Sequence, residues 1–172
     1  ARPLANALLG LHPDRSLPRF QKPLHRQWGG NAALHKDNPA VLLYADSFTT
    51  YNEPSLGLAA RRVLNAFGYR VELFKGTDAA RAQISVGLLP RAIRRIDDEA
   101  PRLLARLIDP KRPIDAILFL EPSCLSAVAD DWLSLNCSTP LADRRAVAER
   151  SFLVEQFLAN RWDEHPCRPG IH

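Results

Sequence analysis

From Val41 onward, the hydrophobic positions follow two alternating periods. Three short apolar runs are typical of buried strands, and they cover residues 41–45, 69–74 and 116–120. Between these runs, apolar residues recur at helical spacing. Alternation of strand and helix favours a parallel sheet with right-handed crossovers. We therefore predict an α/β fold with a small parallel sheet of about three strands flanked by helices, a Rossmann-like or flavodoxin-like half.

The helical patterns have recognisable ends. The first helix should begin at Pro54 and stop before Gly68, because proline suits a first helical turn and glycine a C-terminal cap. The longest pattern, residues 86–108, has leucine, isoleucine and alanine on one face and arginines and acids on the other. Pro101 should kink or split it. Residues 46–52 and 75–82 are expected to be loops.

Two more helices are expected after the third strand, over about residues 125–135 and 140–162. Thr139 should cap the second of these helices, and Pro140 should begin it. Residues 1–40 differ from the rest of the chain, since five prolines and a Gly-Gly pair interrupt them. We interpret them as a connector that packs on a neighbour or stays mobile, with a two-turn helix over residues 4–11. The α/β domain then covers residues 41–172.

Composition limits the classes of function. The 172 residues, 46% hydrophobic and 24% charged, suit one soluble domain. The net charge of +4 is modest and its arginines are spread along helical stretches, so we expect no nucleic-acid partner. No apolar run is long enough to span a membrane and no signal peptide is visible. A cytoplasmic location is therefore expected.

The third predicted strand gives the clearest candidate site. It runs directly into Glu121-Pro122-Ser123-Cys124 and then into an amphipathic pattern. Open α/β proteins bind ligands at the carboxyl edge of the sheet, where such a junction lies. In the first helical turn, the helix dipole would favour a thiolate at Cys124. Cys124 is therefore either a metal or cluster ligand, or a reactive thiol, or simply a small buried residue.

Neighbouring polar residues extend this candidate site. Glu121 is either a ligand or proton carrier, or a cap for backbone N–H groups. Asp46 and Ser47 follow the first strand at the same edge, so they should approach Glu121 and Cys124. The five histidines all lie in the connector or in the tail, so no nucleophile–base pair can be assembled and no catalytic residue is assigned. A small stand-alone hydrolase is accordingly disfavoured.

The cysteines indicate neither a disulfide framework nor a zinc site. Cys124, Cys137 and Cys167 form no C-x-x-C pair. The loop Gly76-Thr77-Asp78-Ala79-Ala80 has one glycine and no lysine at the following helix start, so it is not a phosphate-binding loop. Cys137 and Cys167 receive no role.

Three segments resemble a known family. The sequences VLLYADSFTTYNEPSLGLAARRVLNAFGYRVEL, RAQISVGLL and FLEPSC, in that order, are similar to the cysteine-rich (CCG) domain of heterodisulfide-reductase type. That domain recurs in iron–sulfur subunits of glycolate oxidase and lactate-utilisation enzymes, and in fused FAD-linked D-2-hydroxyacid (D-lactate) dehydrogenases. The segment LLGLHPDRSLPRF resembles the connector of the fused enzymes. The resemblance covers about residues 4–158.

The resemblance implies a cluster site that has lost most of its ligands. The family places a cysteine after the first strand, a Cys-Cys-Gly triplet after the second and the cysteine of Glu-Pro-Ser-Cys after the third. Here these positions fall on Ser47, on Asp78-Ala79-Ala80 and on Cys124. Ser47, Asp78, Glu121, Ser123 and Cys124 would thus form the rim of a degenerate cofactor site, with Cys124 as its one remaining metal ligand.

The family domain also has a second half with its own triplet, which this chain does not contain. The iron–sulfur cluster and the FAD of such an enzyme would belong to the parent protein, and no cofactor is expected in this segment. The first expectation for function is an electron-transfer accessory domain of an FAD-linked 2-hydroxyacid dehydrogenase. The alternative is a non-catalytic interaction module for assembly. The expected partner is the remainder of the dehydrogenase or a second copy of the chain.

Overall fold

The computed structural model describes residues 10, 12, 18–29 and 37–170. Its centre is a parallel sheet with strand order β2-β1-β3-β4. The strands are β1 (Ala40–Ala45), β2 (Arg70–Lys75), β3 (Ile117–Phe119) and β4 (Ser151–Leu153). The α/β prediction, with its parallel sheet and flanking helices, is confirmed. Among the described residues, no helix has both the length and the apolar character needed to cross a membrane.

Helices connect the strands and cover both faces of the sheet. The alternation along β1 sends Val41 and Leu43 to one face and Leu42 and Tyr44 to the other, and each face has its own apolar core. The helical segments among the described residues are Leu24–Gln27, Ser47–Tyr51, Pro54–Ala66, Arg81–Ser85, Leu89–Leu107, Pro122–Ser126, the π-helical turn Ala127–Asp131, Trp132–Ser134, Leu141–Glu149 and Val154–Asn160.

The prediction of about three strands missed β4. This strand lies inside the segment for which one helix over residues 140–162 was predicted. The helix Leu141–Glu149 ends at Arg150, whose side chain donates to the carbonyls of Ile114 and Asp115. The backbone carbonyl of Arg150 then accepts from Ile117 N at 2.8 Å, which starts the pairing of β4 with β3.

Several predicted helix boundaries also change. The longest helix, Leu89–Leu107, begins after Gly87, whose φ of +74° breaks the pattern, and it continues through Pro101 without splitting. The predicted loop over residues 46–52 contains the short helix Ser47–Tyr51. The predicted cap Thr139 makes no side-chain cap, and the helix begins at Leu141 with Pro140 before it.

A buried arginine holds the segment that joins β3 to the last crossover helix. Arg144 is only 5% exposed. Its guanidinium donates to the carbonyl of Thr139 at 3.0 Å, to that of Leu135 at 2.9 Å and to that of Trp132. These acceptors are backbone groups at the end of the helical segment and in the loop after it, where no intrahelical donor remains.

Part of the predicted connector packs on the domain itself. Leu24 is fully buried and lies against Gly57, and the Arg61 guanidinium lies 5.1 Å from the centre of the Trp28 ring. Gln21 N also donates to the carbonyl of Tyr51 at 2.7 Å. The helix predicted over residues 4–11 falls, apart from Gly10, outside the described residues.

Candidate functional site

The strand order places a crevice between β1 and β3. β1 leads to β2 on one side, whereas β3 and β4 lie on its other side. In open α/β sheets, the carboxyl ends of the strands at such a switch point form the usual ligand crevice. A cavity of about 350 Å³ lies there, lined by Asp46, Ser47, Phe48, Asp78, Arg81, Ala82, Glu121, Ser123 and Cys124. All five residues of the sequence-based site therefore line one cavity.

The loop after β1 supplies one wall of this rim cavity. The Asp46 carboxylate accepts from the backbone N–H of Thr49 at 2.8 Å and from its hydroxyl at 2.5 Å. This is the geometry of a helix N-cap, and it starts the helix Ser47–Tyr51. Ser47 N donates to the carbonyl of Thr77 at 2.6 Å, which joins this loop to the one after β2.

The segment after β3 supplies the opposite wall. Glu121 Oε1 accepts from Ser123 N at 3.2 Å, so this carboxylate caps the helix Pro122–Ser126. Asp78 Oδ2 likewise accepts from Ala82 N at 3.1 Å in the first turn of the helix Arg81–Ser85. The carboxylates of Asp46, Asp78 and Glu121 thus all accept from N–H groups at helix starts.

The loop after β2 turns through two left-handed alanines. Ala79 and Ala80 have φ of +51° and +62°, and both are fully buried. This conformation costs a non-glycine residue about 1–2 kcal/mol. Hydrogen bonds hold the turn: Ala79 N donates to the Tyr44 hydroxyl at 3.0 Å, and Ala79 O accepts from Trp132 Nε1 at 2.9 Å.

The Cys124 thiol does not have the thiolate character that was predicted from its helix position. It is 3% exposed. Burial, followed by the negative charges of Asp46, Glu121, Asp78 and Glu99, raises the pKa of Cys124 to about 12. Desolvation and nearby carboxylates therefore outweigh the dipole of a five-residue helix, and the thiol stays protonated at neutral pH.

The residues present do not fit an intact iron–sulfur cluster, which is held by several thiolates. Of the three cysteines, only Cys124 lines the rim cavity, since Cys137 packs against the core elsewhere and Cys167 is exposed in the tail. Within the part of the chain that the structure describes, no group of three or more His, Cys, Asp and Glu side chains is placed to hold a metal ion.

A buried network beside the rim was missed in the sequence. Glu99 is 1% exposed. Its carboxylate accepts from the Tyr44 hydroxyl at 2.5 Å and from the Thr77 hydroxyl at 2.6 Å. Burial raises the pKa of Glu99, although these two hydrogen bonds and the charges of Arg95 and Arg102 act in the opposite direction. The sequence pattern predicted all acids of the longest helix on its polar face. In the structure, Glu99 lies on the apolar face between Ile96 and Leu103.

Alkylation should distinguish the cysteines. In the native protein at pH 8, iodoacetamide should modify the exposed Cys167 and leave Cys124 unmodified, because the Cys124 thiol is both buried and protonated. Mass spectrometry of a digest measures the extent at each site, and the same protein in urea, where all three cysteines should react, is the control. Equal native rates at Cys124 and Cys167 would contradict the buried, protonated state.

Comparisons of this chain with protein-family models, with curated proteins and with solved structures find no significant match.

Proposed function

We propose that this chain is an accessory domain of an FAD-linked 2-hydroxyacid (D-lactate or glycolate type) dehydrogenase, with a degenerate cluster site of CCG type at its rim cavity. The observation that carries the proposal is the convergence of Ser47, Asp78 and Cys124 on one cavity. The resemblance assigns ligands to these three positions and to Ala79, which follows Asp78 in the same loop but does not line the cavity. The three residues are far apart in the sequence, and the parallel sheet brings them together.

The turn conformation gives independent support. The resemblance places the glycine of the triplet at position 80, and Ala80 has a φ of +62°. Glycine adopts this conformation without a steric penalty. A backbone shaped for Cys-Cys-Gly therefore accounts for the left-handed conformation of Ala80, whereas that of Ala79 is held by the hydrogen bonds described above.

The module would act on the electron-exit side of the parent enzyme. The lone protonated thiol of Cys124 cannot itself take the place of a cluster. We therefore assign no redox step to this chain. Its contribution would be to hold the cofactor-bearing parts of the parent in place.

A second candidate is an interaction module that mediates assembly. An apolar groove of about 420 Å³ favours this candidate. The groove lies on the sheet face that carries Val41 and Leu43. It is lined by Leu56, Ala59, Ala60, Val63, Leu120, Val154, Glu155 and Leu158. Leu56 and Val63 are nearly half exposed. An apolar surface of this kind is typical of contact with another protein surface.

Restoring the missing ligands tests the first proposal. The variant Ser47→Cys/Asp78→Cys/Ala79→Cys/Ala80→Gly, together with the native Cys124, places thiols at all four positions where the resemblance expects cysteines. After anaerobic incubation with iron and sulfide, it should show visible sulfur-to-iron absorption and bound iron, whereas the wild type should stay colourless. The matched control carries Cys124→Ala in addition and should lose most of the iron.

Three outcomes decide between the candidates. Iron uptake that depends on Cys124 supports the degenerate cluster site. A grafted variant that folds but stays colourless, or that binds iron equally without Cys124, contradicts it and leaves the interaction module. Iron bound by the wild type in a Cys124-dependent manner would show that the site is not degenerate.

A further inference from the structure

A second cavity lies beside the N-terminal half of the helix Leu89–Leu107, away from the rim cavity. It has a volume of about 370 Å³ and is lined by Gln83, Arg91, Arg94, Arg95 and Asp98. Arg91, Arg94 and Arg95 stand at positions i, i+3 and i+4, so their side chains leave the same face of the helix. Three arginine side chains, with five N–H donors each, therefore line one small space.

The carboxylates near these arginines are paired with or hydrogen-bonded to other groups. Among the described residues, none of the three side chains makes a hydrogen bond or an ion pair. The carboxylate of Asp98, which also lines the cavity, pairs with Arg102 at 3.3 Å. The neighbouring acids are engaged elsewhere on the helix.

The two acids next to Asp98 in the sequence, Asp97 and Glu99, form their hydrogen bonds with other parts of the molecule. Asp97 accepts from the backbone N–H groups of Ser138 and Thr139 at 3.1 and 2.7 Å. Glu99 accepts from Tyr44 and Thr77, as described above. Among the described residues, Asp98, which is shared with Arg102, and Glu99, whose charge acts on Arg95, oppose the positive charge of the cavity.

The placement of Arg91 is unfavourable for the helix alone. The first turn contains no acidic residue, and Arg91 is its third residue. A cation in the first turn opposes the positive end of the helix dipole. Departures from local preference of this kind are expected where a site has a function. A bound anion near this helix end would instead interact favourably with the helix dipole.

Gln83, which lines the cavity, has a polar atom without a hydrogen-bond partner in the described part of the chain. Gln83 Oε1 is buried and has no hydrogen-bond partner among the described residues. An amide oxygen accepts from a hydroxyl group, so it would suit an anion that carries one. Monohydrogen phosphate and hydroxyl-bearing phosphate esters do so, whereas sulfate at neutral pH does not.

We propose that this arginine cavity binds a phosphoryl oxyanion, with the guanidinium groups of Arg91, Arg94 and Arg95 as donors and Gln83 Oε1 as the acceptor for a ligand hydroxyl. Arginine presents a planar fork of donors that matches phosphate geometry. The volume suits inorganic phosphate or a small phosphate ester. This inference does not depend on the proposed function, because the two cavities share no residue.

Calorimetric titration of the full chain with inorganic phosphate, sulfate and glycerol 3-phosphate, at one ionic strength set with chloride, tests the proposal. Phosphate should bind, and Arg91→Gln/Arg94→Gln should weaken the binding roughly tenfold or more, because charge-assisted hydrogen bonds are lost. The matched control Arg62→Gln/Arg145→Gln removes two exposed arginines outside the cavity and should bind as the wild type does.

The acceptor is tested separately. Gln83→Leu should weaken the binding of phosphate several-fold and leave that of sulfate unchanged. Tighter binding of glycerol 3-phosphate than of phosphate would identify an ester as the preferred source of the phosphoryl group, and equal binding would identify free phosphate. Equal losses in the two arginine pairs, or no heat of binding at millimolar phosphate, would overturn the proposal.

Discussion

Gly76→Ala should destabilise the protein by about 3 kcal/mol or more, in the upper range for overpacking a buried site. A Cβ atom at Gly76 would lie 2.2 Å from Cζ of Tyr44 and within 2.6 Å of two further ring atoms. The ring has nowhere to move, because it is fully buried and its centroid lies 4.7 Å from that of Phe119 and 5.7 Å from that of Phe74. Urea unfolding followed by circular dichroism measures the change.

Gly87→Ala is the matched control. Gly87 has a φ of +74°, but a Cβ atom there meets nothing within 4 Å. Its substitution should therefore cost only the left-handed backbone penalty, about 1–2 kcal/mol. If Gly76→Ala lowered the urea midpoint no more than Gly87→Ala at an unchanged slope, the close approach of Tyr44 to Gly76 would be wrong.

The location of the rim cavity could be predicted because it follows from strand ends. Once the apolar runs before Ser47 and Glu121 are identified as parallel strands, their carboxyl ends must meet at one edge. The protonation state of Cys124 could not be predicted in the same way. It depends on how deeply the thiol is buried and on how closely four carboxylates approach it, and local sequence determines neither the burial nor the distances.

Other features were missed for distinct physical reasons. β4 has three residues, Ser151–Leu153, which is too few to show a period of two against the helical pattern on both sides. The left-handed turn at Ala79 and Ala80 runs against the preference of alanine and depends on tertiary hydrogen bonds. Glu99 did leave a signal, since it follows Ala92 and Ile96 at helical spacing on the apolar face.

Tyr44→Phe should cost about 2–3 kcal/mol at neutral pH, because it leaves buried polar groups without a partner while the ring remains. The Tyr44 hydroxyl accepts from Thr77 N at 3.1 Å and from Ala79 N at 3.0 Å, and it donates to Glu99 at 2.5 Å. The substitution therefore loosens the turn at Ala79 and Ala80. Thermal or urea unfolding measures the loss of stability.

The loss should also grow with pH. A carboxyl group whose folded pKa is raised contributes stability below its unfolded pKa, and this contribution disappears as the pH rises through the folded value. The hydrogen bond from Tyr44 lowers the pKa of Glu99 against the effect of burial. Tyr44→Phe removes that bond and raises the pKa further, so the difference in unfolding free energy from the wild type should be larger at pH 8 than at pH 4.

The Glu99→Gln background isolates the cause of this pH dependence. Arg95 and Arg102 act on Glu99 in both proteins and do not change the sign of the effect. With Glu99→Gln in place, Tyr44→Phe should still destabilise the protein, but by the same amount at both pH values, since no group in the network then ionises. A pH-dependent difference that persists in the Glu99→Gln background would place its origin outside the Tyr44–Glu99 pair and would contradict ionisation of Glu99 as its cause.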